Sequence, residues 1–259
     1  MKFIGIIPAR YQSTRFPGKP LALIGDKPMI QRVYEQAAKA LQEVVVATDD
    51  ERIYAAVKHF GGEVVMTSST HRSGTDRCWE AYCKWCEEKE RETNNYHRPD
   101  VVINIQGDEP FIQVEQIEAI KSCFPTEIAT LVKPYDTNDT LESLFNENTP
   151  KVVFSPVTHN ALYFSRSVIP FIRGVKKEDW LNGETTFYKH IGMYAYRPDI
   201  LEQITQLPQG CLEKTESLEQ LRWLENGYKI KVAQCNSFSI GIDTPEDLEK
   251  ARILVDSMS

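Results

Sequence analysis

Phe3-Ile4-Gly5-Ile6-Ile7-Pro8-Ala9-Arg10-Tyr11-Gln12-Ser13-Thr14-Arg15-Phe16-Pro17-Gly18-Lys19-Pro20 is an apolar run that passes directly into a basic, turn-rich loop. A short apolar run bounded by turn residues reads as a buried strand. The loop carries Arg10, Arg15 and Lys19, with Ser13, Thr14 and Gly18 between them. Two guanidinium forks and an ammonium suit an anion with several oxygens, such as a triphosphate. Gly18 lets the backbone come close to that anion, and successive N–H groups in such a turn can form a nest. The loop is neither a Walker A motif nor G-x-G-x-x-G. A solvated basic loop stiffened by prolines is the competing reading. Its place directly after the first strand keeps ligand binding in contention, because open α/β sheets bind ligands at the carboxyl ends of their strands.

The pattern downstream extends that strand into a sheet. Ile30, Val33, Tyr34, Ala37 and Leu41 fall at the spacing of an amphipathic helix. Val44–Ala47 reads as a buried strand, and Thr48-Asp49-Asp50 opens a helix that runs to about Phe60 and ends at Gly61-Gly62. Val64–Met66 is a third strand. The resulting βαβαβ order predicts a doubly wound, mostly parallel α/β sheet with right-handed crossovers. A polar loop with Ser73-Gly74-Thr75, a helix over Asp76–Glu90 and a charged stretch from Glu87 to His97 follow. Val101–Ile105 is the next strand and runs into Gln106-Gly107-Asp108-Glu109-Pro110.

From about Ala129 the rhythm changes. Lys151–Phe154 and Ala161–Phe164 lack intervening helices, which predicts antiparallel strands or a small antiparallel lobe around 132–200 within a single domain, 1–259. Pro170 to Glu184 reads as a loop, Ile191–Tyr196 as a strand, and Glu213–Glu225 as one helix with Leu218, Leu221 and Leu224 toward the core. Thr244-Pro245-Glu246-Asp247 has an N-cap threonine, an N1 proline and an N3 acid, and opens the last helix.

Composition bounds the class. The 259 residues are 41% hydrophobic and 26% charged, those of an ordinary globular chain, and no apolar stretch approaches the ~20 residues of a membrane span. The N-terminus enters a strand at once, without the basic region and cleavage site of a signal peptide, so the expected compartment is the cytoplasm. A net charge of −7 argues against a nucleic-acid surface. Cys78, Cys83 and Cys86 have the C-x4-C-x2-C spacing of a plant-type iron–sulfur site. The helical reading of that segment favours thiols that fill the core.

Two carboxylates stand where chemistry needs them. Asp108 follows a buried strand, at the sheet edge of the basic loop, and Asp243 immediately precedes a helix cap. A pair of carboxylates near a phosphate loop suits Mg²⁺, which takes one or two of them and fills its other sites with phosphate oxygens and water. Each alone reads equally as a turn or cap residue, and Glu109 is the nearest rival to Asp108. His190 and Tyr194 fall on one face of a strand, where His190 can bind an anion, relay a proton or simply pack. Glu216, Glu219 and Gln220 share a helical face that is either solvated or turned toward a polyhydroxy substrate.

In order, P-A-R-x-x-S-x-R-x-P-G-K-P, Q-G-D-E-P, A-L-Y-F-S-R, H-I-G-x-Y-A-Y, L-E-Q-L-R and D-T-P-E-D resemble the 3-deoxy-manno-octulosonate (Kdo) cytidylyltransferases, or CMP-Kdo synthetases, from about Ile4 to Leu254. The resemblance implies transfer of CMP from CTP to Kdo for lipopolysaccharide synthesis. It implies that Arg10, Ser13 and Lys19 hold the triphosphate with help from Arg15, and that Ser73 and Gly74 lie near the cytidine. It places Mg²⁺ on Asp108 and Asp243, Gln106 near Kdo, and Arg166, His190, Tyr194, Glu219 and Gln220 around the sugar. Arg10, Lys19, Asp108 and Asp243 would carry the catalysis, in a cytoplasmic homodimer with no nucleic-acid or membrane partner. The Cys78–Cys86 segment and Glu87–His97 lie outside the motifs, and the loop Gly174–Glu184 differs in length among members of that family, so the resemblance does not define the sugar-pocket lid. An enzyme for the 8-amino analogue of Kdo, and a non-catalytic nucleotide or sugar sensor, remain as alternatives. A nicotinamide-dependent dehydrogenase is disfavoured by the missing G-x-G-x-x-G.

Overall fold

Strand β1 (Phe3–Ala9) buries Ile4, Ile6 and Ile7 completely. The structure is a computed structural model that describes residues 1–12, 16–237 and 241–256. After the loop come a 3-10 turn (Lys19–Leu21), the short strands β2 (Leu23–Ile24) and β3 (Lys27–Pro28), and α1 (Met29–Ala38). Met29, Ile30, Val33 and Ala37 form the buried stripe of α1, as the spacing predicts. Next are β4 (Glu43–Thr48), α2 (Glu51–His59), β5 (Val64–Met66), α3 (Gly74–Glu92), β6 (Val101–Asn104) and α4 (Val114–Lys121).

Four strands of this half pair in parallel in the order β6-β1-β4-β5. The chain therefore moves outward from β1 through β4 to β5, then returns to the other side of β1. With right-handed crossovers, that reversal puts helices on opposite faces of the sheet. It also makes the carboxyl ends of β1 and β6 the topological switch point, where such sheets hold ligands. The basic loop leaves one of these ends and Gln106–Asp108 leaves the other.

Internal contacts divide the chain into two compact units. One is Met1–Glu118 with Arg197–Thr205 and Ser239–Ser259; the other is Ala119–Tyr196 with Gln206–Phe238. The second unit thus takes in residues 206–238 beyond the 132–200 segment expected of a smaller lobe. It contains β7 (Ile128–Pro134), α5 (Leu141–Phe145), β8 (Lys151–Phe154), β9 (Ala161–Ser165) and β10 (Tyr188–Tyr196). After α6 (Pro198–Thr205), which packs on α3 in the first unit, follow α7 (Cys211–Glu216), α8 (Gln220–Glu225) and β11 (Ile230–Gln234). β7 pairs in parallel with β11 and antiparallel with β10, and β8 and β9 form an antiparallel pair. The expected change of rhythm after Ala129 is this switch to mixed pairing.

Two expectations are corrected. Glu213–Glu225 is not one helix: α7 and α8 are separated by Ser217, whose φ of 51° and ψ of 46° are left-handed. Glu216 at the end of α7 accepts from the Ser165 hydroxyl at 2.6 Å and the Arg166 N–H at 2.9 Å, so a distant strand end holds the break in place. The expected loop over Pro170–Glu184 contains a 3-10 helix, Lys177–Asn182, that buries Trp180 against Phe187, Leu144 and Tyr135. Of the three spaced cysteines, two are the expected core thiols and Cys83 is half-buried. Cys78 and Cys86 are buried on the continuous helix α3, and burial pushes the Cys83 and Cys86 thiols up to about 11. No helix among the described residues is long and apolar enough to cross a membrane. The last helix, α9 (Pro245–Asp256), packs Leu248 and Ala251 with Ile242, Ile24 and Met29.

Candidate active site

The switch point is built from three converging segments of the first unit. Gly18 adopts a φ of +73°, and its N–H donates to the Tyr11 carbonyl at 2.8 Å, closing the basic loop just before Lys19. Gly107 passes so close to β1 that an added Cβ would lie 2.8 Å from the Pro8 carbonyl, so a side chain there would push the Asp108 loop away. The Ile242 N–H donates to the Asp108 carbonyl at 2.9 Å, joining the two acid-bearing segments through their backbones. Asp243 is further set by α9: the Asp247 carboxylate accepts from the N–H groups of Asp243 and Thr244 and from the Thr244 hydroxyl. Among the described residues, Lys19, Asp108 and Asp243 form a charge cluster. Lys19 Nζ lies 2.7 Å from Asp108 Oδ2 and 3.3 Å from Asp243 Oδ1. Sequence separation says nothing of this proximity; here residues 19, 108 and 243 meet.

A second loop of the same unit faces Pro8. Ser73 caps α3 by accepting from the Asp76 N–H at 3.1 Å. Gly74 begins the helix, and a Cβ on it would sit 3.4 Å from Pro8 Cγ and 3.7 Å from Asn104 Nδ2. The N-terminus of a long helix, uncluttered by a side chain, is a ready place for an anion or a polar ligand edge. Beneath it Arg77 is fully buried and donates to Thr67 Oγ1 at 2.5 Å and Asp49 Oδ2 at 2.8 Å. This guanidinium laces the ends of β4 and β5 to the first turn of α3.

The expected sugar-side residues, apart from Gln106 in the first unit, lie in the second unit. The β10–β7 register shifts between Ile191 and Tyr194, so Gly192 and Met193 interrupt the ladder, yet the His190 and Tyr194 rings remain in contact at 5.3 Å between centroids. Thr130 Oγ1 lies 2.9 Å from His190 Nε2 and donates to the Met193 carbonyl at 2.9 Å. A hydroxyl has one proton, so His190 is the donor of its bond to Thr130 and keeps Nδ1 as an acceptor. The Tyr194 ring meets Trp223 edge-on at 5.0 Å. Among the described residues the Tyr194 hydroxyl, Gln220 Nε2 and Trp223 Nε1 are buried with no hydrogen-bond partner. Buried polar atoms without partners are rare, and each calls for a ligand or water. Glu219 accepts from Arg222 at 2.7 Å, while Arg166 donates to the carbonyls of Glu216, Ser217 and Glu147. Ser217 thus separates Glu216, at the end of α7, from Glu219 and Gln220 at the start of α8.

Burial holds His190 neutral and pushes its pKa down to about 3. An unfolded histidine titrates near 6.5, so the unfolded chain binds the extra proton between those values. The stability that this group contributes is complete above pH 6.5 and is lost as pH falls toward 3. Chemical unfolding at pH 7 and pH 5 is expected to differ by about 2 kcal/mol from this source, and His190→Gln should remove that difference.

Arg10 is exposed at the start of the basic loop, and Ser13 and Arg15 lie outside the described residues. Several supporting residues escape sequence reading. Thr130 looks like any strand residue. Lys151 is fully buried with its ammonium on the carbonyls of Asn146, Thr149 and Arg166, and desolvation lowers its pKa. Arg77 left one signal: it shares a helical stripe with Ala81 and Trp85, both buried.

Comparison with known proteins shows the family. A family model described as cytidylyltransferase matches residues 4–230. The 3-deoxy-manno-octulosonate cytidylyltransferase of Phocaeicola vulgatus is 64% identical over 254 residues, covering 97% of this chain and 96% of that protein. The protein of the same name from Parabacteroides distasonis is also 64% identical, covering 97% of each. A solved CMP:2-keto-3-deoxy-manno-octonic acid synthetase complexed with CTP is 39% identical and superposes over the whole of both chains with a TM-score of 0.84. A glucose-1-phosphate thymidylyltransferase from Bacillus anthracis, at 16% identity and a TM-score of 0.61, shares the fold. The mostly parallel α/β sheet, the basic loop and the ordered motifs thus have one common source, and the chain belongs to the 3-deoxy-manno-octulosonate cytidylyltransferase family.

Proposed function

We propose that this chain transfers CMP from CTP to 3-deoxy-D-manno-octulosonate, releasing pyrophosphate and supplying an activated sugar for lipopolysaccharide assembly. The observation that carries the reading is the Lys19–Asp108–Asp243 cluster at the switch point of the sheet. Arg10, Lys19 and, in the same loop, Ser13 and Arg15 bind the triphosphate. Ser73 and Gly74 at the start of α3 receive the cytidine.

Asp108 and Asp243 fit a magnesium ion. Their carboxylates converge on a single cation, the Lys19 ammonium, and retain open sides: Asp108 is 31% and Asp243 49% exposed. Magnesium needs no more protein ligands than these when phosphate oxygens and water complete its shell. When bound, Mg²⁺ supplies charge neutralisation on the phosphates and a lowered pKa for the sugar hydroxyl.

The anomeric hydroxyl of Kdo attacks the α-phosphorus, and the bond to the bridging oxygen of pyrophosphate breaks. Positioning and electrostatics do most of the work in such transfers. Arg10 and Lys19 stabilise the charge that grows on the leaving pyrophosphate. On the sugar side, Gln106, Arg166, His190, Tyr194, Glu219 and Gln220 orient Kdo. The unpartnered Tyr194 hydroxyl and Gln220 amide can both donate, which suits a sugar acid rich in acceptor oxygens. Gln220→Leu is expected to cost about 1–2 kcal/mol of sugar binding, roughly a tenfold rise in KM for Kdo with KM for CTP unchanged. The working form in this reading is a cytoplasmic homodimer, for which the exposed Val157, Leu162 and Phe171 of the second unit supply apolar surface.

The test is pyrophosphate release with CTP and Mg²⁺ beside Kdo, 8-amino-Kdo or sialic acid. Release that requires both CTP and Kdo, with Kdo preferred, is the expected result. Preference for 8-amino-Kdo would reassign the sugar. Silence with all three sugars, in folded protein that still binds CTP, would favour a sensor.

A further inference from the structure

Lys19 has a second geometry to explain. Its ammonium sits on the same two carboxylates that the proposed function gives to a divalent cation, 2.7 Å from Asp108 and 3.3 Å from Asp243. The lysine is also the most buried of the three: its side chain is 13% exposed, against 31% and 49% for the acids. An ammonium and a divalent ion cannot share this position, because like charges a few ångströms apart repel strongly where water is partly excluded.

Which member of the cluster gives way follows from how each is held. Asp108 and Asp243 are joined by the Ile242 N–H to Asp108 carbonyl bond, and Asp243 is braced by Asp247 at the start of α9. Their backbones are fixed to each other. Lys19 reaches them on a flexible four-carbon arm from the basic loop, so it is the part that can move without disturbing the fold. A triphosphate in that loop offers the ammonium a denser negative charge than the carboxylates do.

We propose that Lys19 is a placeholder cation: it keeps the Asp108–Asp243 pair from binding divalent metal until a triphosphate takes its ammonium. The proposal rests on the reading that this pair holds Mg²⁺. Metal and nucleotide then load cooperatively, and linkage makes the effect mutual: each binds more tightly when the other is present.

The test is titration of the full chain with Mn²⁺ alone, without nucleotide, following the electron paramagnetic resonance signal of free Mn²⁺. If Lys19 occupies the pair about nine-tenths of the time, wild type binds about tenfold more weakly than the open site would. Lys19→Met is therefore expected to bind Mn²⁺ at least about tenfold more tightly than wild type, and Lys19→Met/Asp108→Asn to lose that gain. Equal binding by wild type and Lys19→Met overturns the proposal, as does a gain that survives Asp108→Asn. Lys19→Gln repeats the comparison should the methionine variant fail to fold. The underlying metal reading is judged separately. If Asp108→Asn weakens Mn²⁺ equally in the wild-type and Lys19→Met backgrounds, and those two bind alike, the metal site stands and only the role of Lys19 falls. If Asp108→Asn leaves both Mn²⁺ binding and the Mg²⁺ dependence of turnover unchanged, the site and the placeholder fall together.

Discussion

Asp108→Asn is expected to lower turnover of CTP and Kdo by about 10²–10³-fold while the chain stays folded. The substitution keeps the shape of the side chain and removes its negative charge. The backbone bond from the Ile242 N–H to the residue 108 carbonyl does not involve the side chain and persists. Lys19 retains Asp243 as a partner, and the lost pair is partly solvated, so the stability cost should be no more than about 1 kcal/mol. The chemical step loses more. In the proposed mechanism it requires positive charge held at a defined point beside the phosphates, and one carboxylate with a neutral neighbour holds a cation less firmly than two carboxylates. The loss should appear in kcat and in the Mg²⁺ concentration needed for half-maximal rate. Pyrophosphate release measured across Mg²⁺ concentrations, beside a thermal melt, separates these effects. A variant with normal turnover at low Mg²⁺ would remove Asp108 from the chemistry.

Arg77→Met is the second large effect, and it falls on stability first. The guanidinium is fully buried between Thr67 and Asp49, and Asp49 is itself only 17% exposed. Methionine fills much of the volume but leaves the Asp49 carboxylate without its partner. Breaking such a pair from one side typically costs about 3–5 kcal/mol, because the remaining charge is poorly solvated. The partial exposure of Asp49 puts the expected value at the lower end. The consequence for function follows from position. Arg77 ties the ends of β4 and β5 to the turn of α3 that carries Ser73 and Gly74. KM for CTP should therefore rise well above the change in KM for Kdo. Denaturant titration gives the first quantity and initial rates give the second. Equal stability of the variant and wild type would mean that the pair contributes no net free energy.

How much of this was legible beforehand varies with the physics involved. The strands β1, β4, β5 and β6 were readable because each is an apolar run bounded by turn residues, and a buried parallel strand requires that composition. The start of α9 was readable because capping is local: Thr244 and Asp247 accept each other's N–H groups, and Pro245 has no N–H to leave unsatisfied. The break at Ser217 was not. Leu218 and Leu221 keep helical spacing across the region, and what stops the helix is Glu216 bound to Ser165 and Arg166, about fifty residues away. The interruption between His190 and Tyr194 was equally hidden, since alternation along a strand does not reveal a register shift against its neighbour. The buried roles of Arg77 and Lys151 were not stated by the sequence, because burial of a cation depends on partners that other elements bring to it.

By itself, then, the sequence determined the class of sheet, the basic loop after β1, the two acids in rigid local settings, and the family through the order of its motifs. Those are properties of short stretches, where propensity, capping and burial pattern act over a few residues. Only the tertiary structure decided that Lys19 stands between Asp108 and Asp243 and that Thr130 sets the proton on His190. It also decided that Tyr194 and Gln220 are buried with donors to spare. Each of these depends on distances between residues far apart in the chain, and such distances are set by how the strands are ordered and the helices packed.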